Sequence, residues 1–352
     1  MDEDSFWEAY KAAGGAAVSS VLPEPGEPEQ RPEEELEASA PGQDPLPLFG
    51  YDLFGDPIQP PSRGLLSDRF EFPPFTVLNA REGAWQDRKR AWMSLGIQGE
   101  LGRDTDTYSI GFTYGKETGN HWTSVFDPVL TELVYRWWCP PAGQIVDPFA
   151  GGSVRGIVAG LLGFHYHGID LSGPQLDANE KQRKQICEYA PIRWVEGDSM
   201  VKLDEAPDAD LIFSCPPYGD LERYSDDRAD LSTMEYQTFI AAYRRIILRC
   251  MLRLRDDSFA CFVVGDFRDK RTGMYRGFVA DTINAFRDVG MPLYNDAILV
   301  TAVASASMRV SRYMDASRKL GKTHQNILVF AKGDPGKSGR WGRADRNGDE
   351  AT

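Results

Sequence analysis

The sequence predicts an α/β fold built on a mainly parallel sheet, and three observations carry that prediction. From residue 124 onward, short β-rich runs alternate with amphipathic helical stretches. A glycine-rich turn, DPFAGGSVRG (147–156), follows the first of these strands, and SCPPY (214–218) closes the fourth. Parallel strands need crossover helices, so the alternation predicts helices on both faces of the sheet.

The elements follow in order. A helix over 128–138 leads to the strand QIVDPF (144–149), then to the glycine turn and a helix over 151–163. The strand HYHGIDL (165–171), a helix over 173–189 and the strand IRWVEGD (192–198) come next. ADLIFSCPP (209–217), a helix over 235–254, FACFVVGDF (259–267) and a helix over 276–289 continue the alternation. The last strands, 296–304 and 326–333, have no helical pattern between them, which predicts an antiparallel hairpin at one edge of the sheet.

Composition bounds the class. The chain has 352 residues, 41% hydrophobic and 26% charged, ordinary for a globular protein with a real core. No run approaches the roughly 18 apolar residues of a membrane helix; AILVTAVA (297–304) is strand-sized. The start, MDEDSFWEAYKAA, is acidic where a secretory signal is basic and then apolar. Five cysteines without paired spacing point to reduced thiols, hence a cytoplasmic location, and to no zinc site. His165 and His167 alternate along a strand start and read as structural; His121 and His324 are isolated, so no metal site is expected.

Four regions are expected. Residues 1–62, which hold ten of the 23 prolines, form an acidic, disordered tail. Residues 63–122 form an N-terminal extension open to target recognition, 123–333 the catalytic domain, and 334–352 a flexible C-terminal tail. The net charge of −14 is uneven: residues 1–50 hold 12 acids and two bases, whereas residues 305–343 hold nine Lys/Arg against Asp315 and Asp334. That distribution removes most of the objection that acidity raises to nucleic-acid binding. In the tail, Gln43-Asp-Pro-Leu46-Pro-Leu48-Phe49 resembles the Q-x-x-L-x-L-F peptides that dock on the bacterial replication sliding clamp; the blander reading is a tail packed loosely on its own domain. Trp85-Gln-Asp-Arg88-Lys89-Arg90-Ala-Trp92 reads as a helical turn with basic and aromatic faces. Either its tryptophans pack inward or its bases meet nucleic acid.

The chemistry lies at the strand ends. Glycines let a backbone approach a ligand closely, and the helix that follows DPFAGGSVRG offers free N–H groups. Asp170 ends the next strand, where a carboxylate can reach ribose hydroxyls. The spacing Gly151-Gly152-x-x-x-Gly156 departs from G-x-G-x-x-G and argues against a nicotinamide site. Glu196-Gly-Asp198 closes the third strand, where Asp198 can either meet an adenine amino group or cap a helix. Two consecutive prolines in Ser214-Cys215-Pro216-Pro217-Tyr218 each remove a ladder donor, which makes sense where rigid carbonyls point into a cleft. A backbone carbonyl there can hold an exocyclic amine, and Tyr218 can stack on an unstacked base.

Together, DPFAGG, an acid ending the second strand, EGD and CPPY resemble the S-adenosylmethionine-dependent methyltransferases that modify amino groups of DNA bases. TSVFDPVLTELVYRWW (123–138) looks like the family segment preceding the cofactor loop. VLNAREGAWQDRKRAW with CPPYGDLERYSDD looks most like bacteriophage versions, which implies a host cytoplasm and a role in protection from restriction. The resemblance covers about residues 70–333 and implies a Rossmann-like methyltransferase fold. It implies that Phe126, Asp147, Phe149, Gly151 and Gly152 surround the methionine part of the cofactor, that Asp170 binds the ribose and that Asp198 binds the adenine amino group. Pro216 would offer its carbonyl to the target amine within the Cys215-Pro216-Pro217-Tyr218 motif, and Tyr218 would stack on the flipped base.

Two departures stand out. The family usually has Asp, Asn or Ser before the two prolines, and this chain has Cys215, a weaker acceptor. Adenine N6 and cytosine N4 therefore both stay open. Only 15 residues separate Asp198 from Ser214, so no target-recognition insertion lies there. DNA contacts are then expected from residues 63–122, from Arg223 and Arg228, or from Arg309, Arg312, Arg318, Lys319 and Lys322. Two other readings stay in view: an RNA base methyltransferase, and a non-catalytic nucleic-acid or clamp adaptor in which Cys215 marks a degenerate site.

Overall fold

The computed structural model describes residues 65–98, 126–219, 230–303 and 306–338, with side chains in the last segment from residue 310. The 43–49 peptide, Arg223 and Arg228 lie outside the described residues. The chain divides into two units, Met1–Arg69 and Phe70–Thr352. Of the first, only the start of a short helix, α1 (Leu65–Phe70), is described.

The second unit opens with β1 (Val77–Asn79), α2 (Gly83–Met93) and α3 (Pro128–Trp138). β2 (Gln144–Asp147), α4 (Val154–Leu161), β3 (His165–Asp170), α5 (Gly173–Ile186), β4 (Ile192–Glu196) and the one-turn α6 (Ser199–Lys202) follow. β5 (Ala209–Ser214), α7 (Tyr236–Arg253), β6 (Leu254–Val264), α8 (Phe278–Asp288) and β7 (Leu293–Val300) continue the alternation. α9 (Ala306–Ser317), β8 (His324–Lys332) and α10 (Pro335–Ser338) complete it.

The eight strands form one sheet in the order β1-β7-β8-β6-β5-β2-β3-β4. All pairings are parallel except those of β8, which runs antiparallel to both β6 and β7. This α/β, mainly parallel arrangement matches the fold class read from the sequence. The antiparallel pair is corrected in two respects. β8 is inserted between β6 and β7, so the edge beyond β7 belongs to β1, which pairs Leu78 with Leu299. A helix, α9, also stands between the pair where none was expected.

The elements form for local reasons and are fixed by distant ones. Asp127 caps α3 by accepting from Val129 N at 3.0 Å, and Pro128 sits in the first turn, where its missing N–H costs nothing. Asp127 also takes Lys89 Nζ at 3.1 Å and Trp85 Nε1 at 3.3 Å. Glu132, 1% exposed on α3, accepts from Trp92 Nε1 at 2.8 Å, Arg88 Nε at 2.9 Å and Arg136 Nε at 2.9 Å. Burial pushes the Glu132 carboxyl up, and its three donors bring it below the ordinary range. The tryptophans of α2 are therefore buried, and Arg88 and Lys89 are committed to carboxylates. For these residues the packing reading holds.

Candidate active site

Strand order reverses between β2 and β5, with β3 and β4 on one side and β6 and β8 on the other. Open parallel sheets bind ligands outside the carboxyl ends of their strands at such a switch point. The motif residues collect there. Asp147 ends β2, Asp170 ends β3, Glu196 ends β4 and Ser214 ends β5.

Asp147 is fully buried and ties these ends together. Its Oδ1 accepts from Ser214 Oγ at 2.6 Å and Phe149 N at 3.1 Å. Its Oδ2 accepts from Arg155 Nε at 2.6 Å and Tyr166 OH at 2.7 Å. Arg155 also donates to the carbonyls of Phe149 (2.6 Å) and Ala150 (3.0 Å), and its guanidinium lies 4.5 Å from the Phe126 ring centroid. Burial alone would pull the Arg155 guanidinium down; the Asp147 charge overrides it and keeps the group above its ordinary value. Burial and the same carboxylate hold the Tyr166 hydroxyl well above its usual range. With four donors on it, the Asp147 carboxylate shapes the turn from beneath. Nothing in the sequence marks Arg155 for this role beyond its place inside the DPFAGGSVRG motif.

The glycines divide their work. Gly151 has φ +52°, and nothing lies within 4 Å of the place a Cβ would take. Its N–H donates to Asp170 Oδ2 at 2.8 Å, and its carbonyl accepts from Asn179 Nδ2 at 2.7 Å. Asp170 Oδ1 takes Ser172 N at 2.9 Å, so one carboxylate joins the first glycine turn to the next strand-to-helix turn. Burial raises the Asp170 carboxyl against these two N–H donors. Gly152 is half-buried beside it. Gly156 serves packing: a Cβ there would stand 2.3 Å from Trp194 Cη2, so α4 can lie this close to β4 only with glycine. Asp198 caps α6, accepting from Met200 N at 2.8 Å.

The proline motif stands one strand away. After Ser214, Cys215 is half-buried, Pro216 buried, and Pro217 and Tyr218 half-buried. Tyr218 OH accepts from Gln325 Nε2 at 2.9 Å, and its ring faces Phe267 (6.4 Å) and Phe278 (6.1 Å). Cys215 Sγ lies 3.9 Å from Tyr218 OH. Phe126 packs edge-on to Phe213 of β5 at 5.8 Å, and Phe149 lies 6.3 Å from Tyr243. Gln325 was not legible as a site residue, since nothing near it in sequence marks it.

The basic segment returns to the same end of the sheet. α9 joins the carboxyl end of β7 to the start of β8, where Val300 pairs with His324. Arg312 and Arg318 are exposed, and Lys319 and Lys322 are half-buried; Arg309 contributes backbone to α9. The structure thus brings Lys322 toward the proline motif and leaves Arg312 and Arg318 on the surface.

No protein-family model and no curated protein matches the chain. Among solved structures, TrmN from Thermus thermophilus is similar with a TM-score of 0.40 and 14% identity, over 59% of this chain and 49% of that one, so the chain spans about half of TrmN. A candidate RNA methyltransferase from Pyrococcus horikoshii is similar with a TM-score of 0.42 and 14% identity, over 70% of this chain and 100% of that one. A candidate DNA modification methylase, also from Thermus thermophilus, is similar with a TM-score of 0.29 and 19% identity, over 39% of this chain and 51% of that one. The chain's own sheet, mainly parallel with β8 reversed between β6 and β7, is of the Rossmann-like α/β type.

Proposed function

We propose that the chain transfers a methyl group from S-adenosylmethionine to an exocyclic amino group of a DNA base, adenine N6 or cytosine N4. The observation that carries this reading is the adjacency of the two motifs. The glycine turn after β2 and the Cys215-Pro216-Pro217-Tyr218 turn after β5 leave neighbouring strands at the switch point, joined by the Ser214–Asp147 hydrogen bond.

The residues present fit this cofactor. The open space over Gly151 admits a ligand against the backbone, while Asp170 ends β3 and Asp198 follows β4. Phe126, Phe149, Gly151 and Gly152 would line the methionine side, Asp170 would hold the ribose, and Asp198 the adenine amino group. When bound, S-adenosylmethionine supplies a methyl group already activated on a sulfonium.

The chain's own work is then positioning. Pro216 lacks an N–H and so donates no ladder hydrogen bond at this turn, and its carbonyl would accept from the target amine. Tyr218, braced by Gln325 and two phenylalanines, offers a fixed face on which a flipped base stacks. Holding an amine in line with an activated methyl group removes most of the orientational barrier. Arg312, Arg318 and Lys319 would meet the phosphates of the same strand.

Competition between duplex DNA and structured RNA for an isotopically labelled methyl group tests this reading. Label is expected in the DNA. Label confined to RNA would move the chain to RNA base methylation.

A further inference from the structure

Asp266 follows β6, the strand next to the one that carries the proline motif. Its Oδ1 is buried and, among the described residues, accepts no hydrogen bond. An acceptor deprived of water and partner carries the full cost of its desolvation, so native folds keep few of them, and those call for a reason.

Two groups of the candidate site lie beside the residue that precedes it. A Cβ on Gly265, the preceding residue, would stand 3.5 Å from Lys322 Cε and 3.9 Å from Tyr218 OH. The Lys322 chain and the Tyr218 hydroxyl thus approach the same side of the backbone, one residue before Asp266. Lys322 is half-buried and, among the described residues, has no carboxylate within ion-pair distance. Burial pulls its ammonium down while the Asp266 charge holds it up. The two charges therefore act on each other without touching.

Resting on the methyl-transfer reading above, we propose that Asp266 supplies the amine acceptor that Cys215 lacks, while Lys322 donates to the adjoining ring nitrogen of the same base. Adenine and cytosine both present an amino group beside an unprotonated ring nitrogen, which answers an acceptor next to a donor. Thymine presents a carbonyl beside a ring N–H, and guanine a carbonyl and an amine on either side of one, so the pair of groups opposes both. The thiol at position 215 then needs no strong acceptor capacity, because the second acceptor comes from the neighbouring strand.

The structural alternative is a bridging water shared with Arg276 Nε, which is also buried without an acceptor and, like Asp266, acts on Tyr236. The test compares the full-length wild type, Asp266→Ala and the double variant Asp266→Ala with Cys215→Asn. Methyl transfer to unmodified genomic DNA, S-adenosylmethionine affinity and Tm are measured for each. Asp266→Ala is expected to lower kcat/KM at least about tenfold, with cofactor affinity and Tm retained. Cys215→Asn, which puts an acceptor at the other side of the same amine, is expected to restore part of the loss. Full turnover in Asp266→Ala overturns the proposal, as does a lowered Tm with no rescue by Cys215→Asn. A wild type that binds cofactor and methylates neither DNA nor RNA overturns instead the transfer reading on which the proposal rests.

Discussion

The Ser214 hydroxyl donates to Asp147 Oδ1 at 2.6 Å, a bond between two fully buried residues that fastens the carboxyl end of β5 to that of β2. The two motifs of the candidate site meet at this junction. The glycine turn leaves one of the two strands and the proline motif leaves the other. Ser214→Ala removes one of four donors and is expected to cost about 1–2 kcal/mol. Arg155→Met leaves the Asp147 charge buried without its cation and is expected to cost about 3–5 kcal/mol. Urea unfolding of both variants checks the order; equal small effects would contradict it.

Gly156 and Gly151 should separate stability from ligand binding. Gly156→Ala drives a methyl group into Trp194 and is expected to cost about 1–3 kcal/mol, with cofactor affinity retained after refolding. Gly151→Ala meets no neighbour but must adopt φ near +52°, at about 1 kcal/mol, and it fills the space over the turn. Its expected mark is lost S-adenosylmethionine affinity, measured by calorimetry. A Gly151→Ala variant with full affinity would place the cofactor elsewhere.

His167, buried on β3, is pulled down to about 4 by burial and by the Arg193 charge. Between the ordinary histidine value of about 6.5 and about 4, the unfolded chain binds a proton that the folded chain refuses. Stability from this residue is therefore present above about pH 6.5 and lost as pH falls toward about 4, by at most about 3 kcal/mol. Tm measured across that window is expected to fall less steeply in His167→Gln than in the wild type. Parallel curves would remove His167 as a contributor.

At Tyr218 the ring and the hydroxyl have different expected weights. Tyr218→Phe loses the hydrogen bond from Gln325, and a severalfold drop in turnover is expected. Tyr218→Ala removes the stacking face and is expected to lower turnover by about two orders of magnitude or more while cofactor binding persists. Steady-state kinetics on DNA with both variants makes the comparison, and full turnover in Tyr218→Ala would overturn the assignment.

The sequence carried most of the sheet and little of its edges. α3 was readable to its ends because Asp127 and Pro128 mark its start and its apolar face is continuous. β1 was not, because three residues show no period. α9 escaped because serines, β-branched Val310 and scattered arginines give a weak helical signal, so its helix reflects its place in the chain path. The insertion of β8 between β6 and β7 is a pairing choice, and local patterning holds no record of pairing. Of the site, the residues that end strands were legible from their motifs. Arg155, Asn179 and Gln325 were not, since each acts through a contact 8, 28 or 107 positions away.

The most direct test of the central claim is to incubate the purified chain with isotopically labelled S-adenosylmethionine and unmodified genomic DNA, then digest and identify labelled nucleosides by mass spectrometry. The account predicts label in N6-methyladenine or N4-methylcytosine. Cofactor binding with no labelled nucleoside, or label on a ring carbon instead of an amino nitrogen, would contradict it.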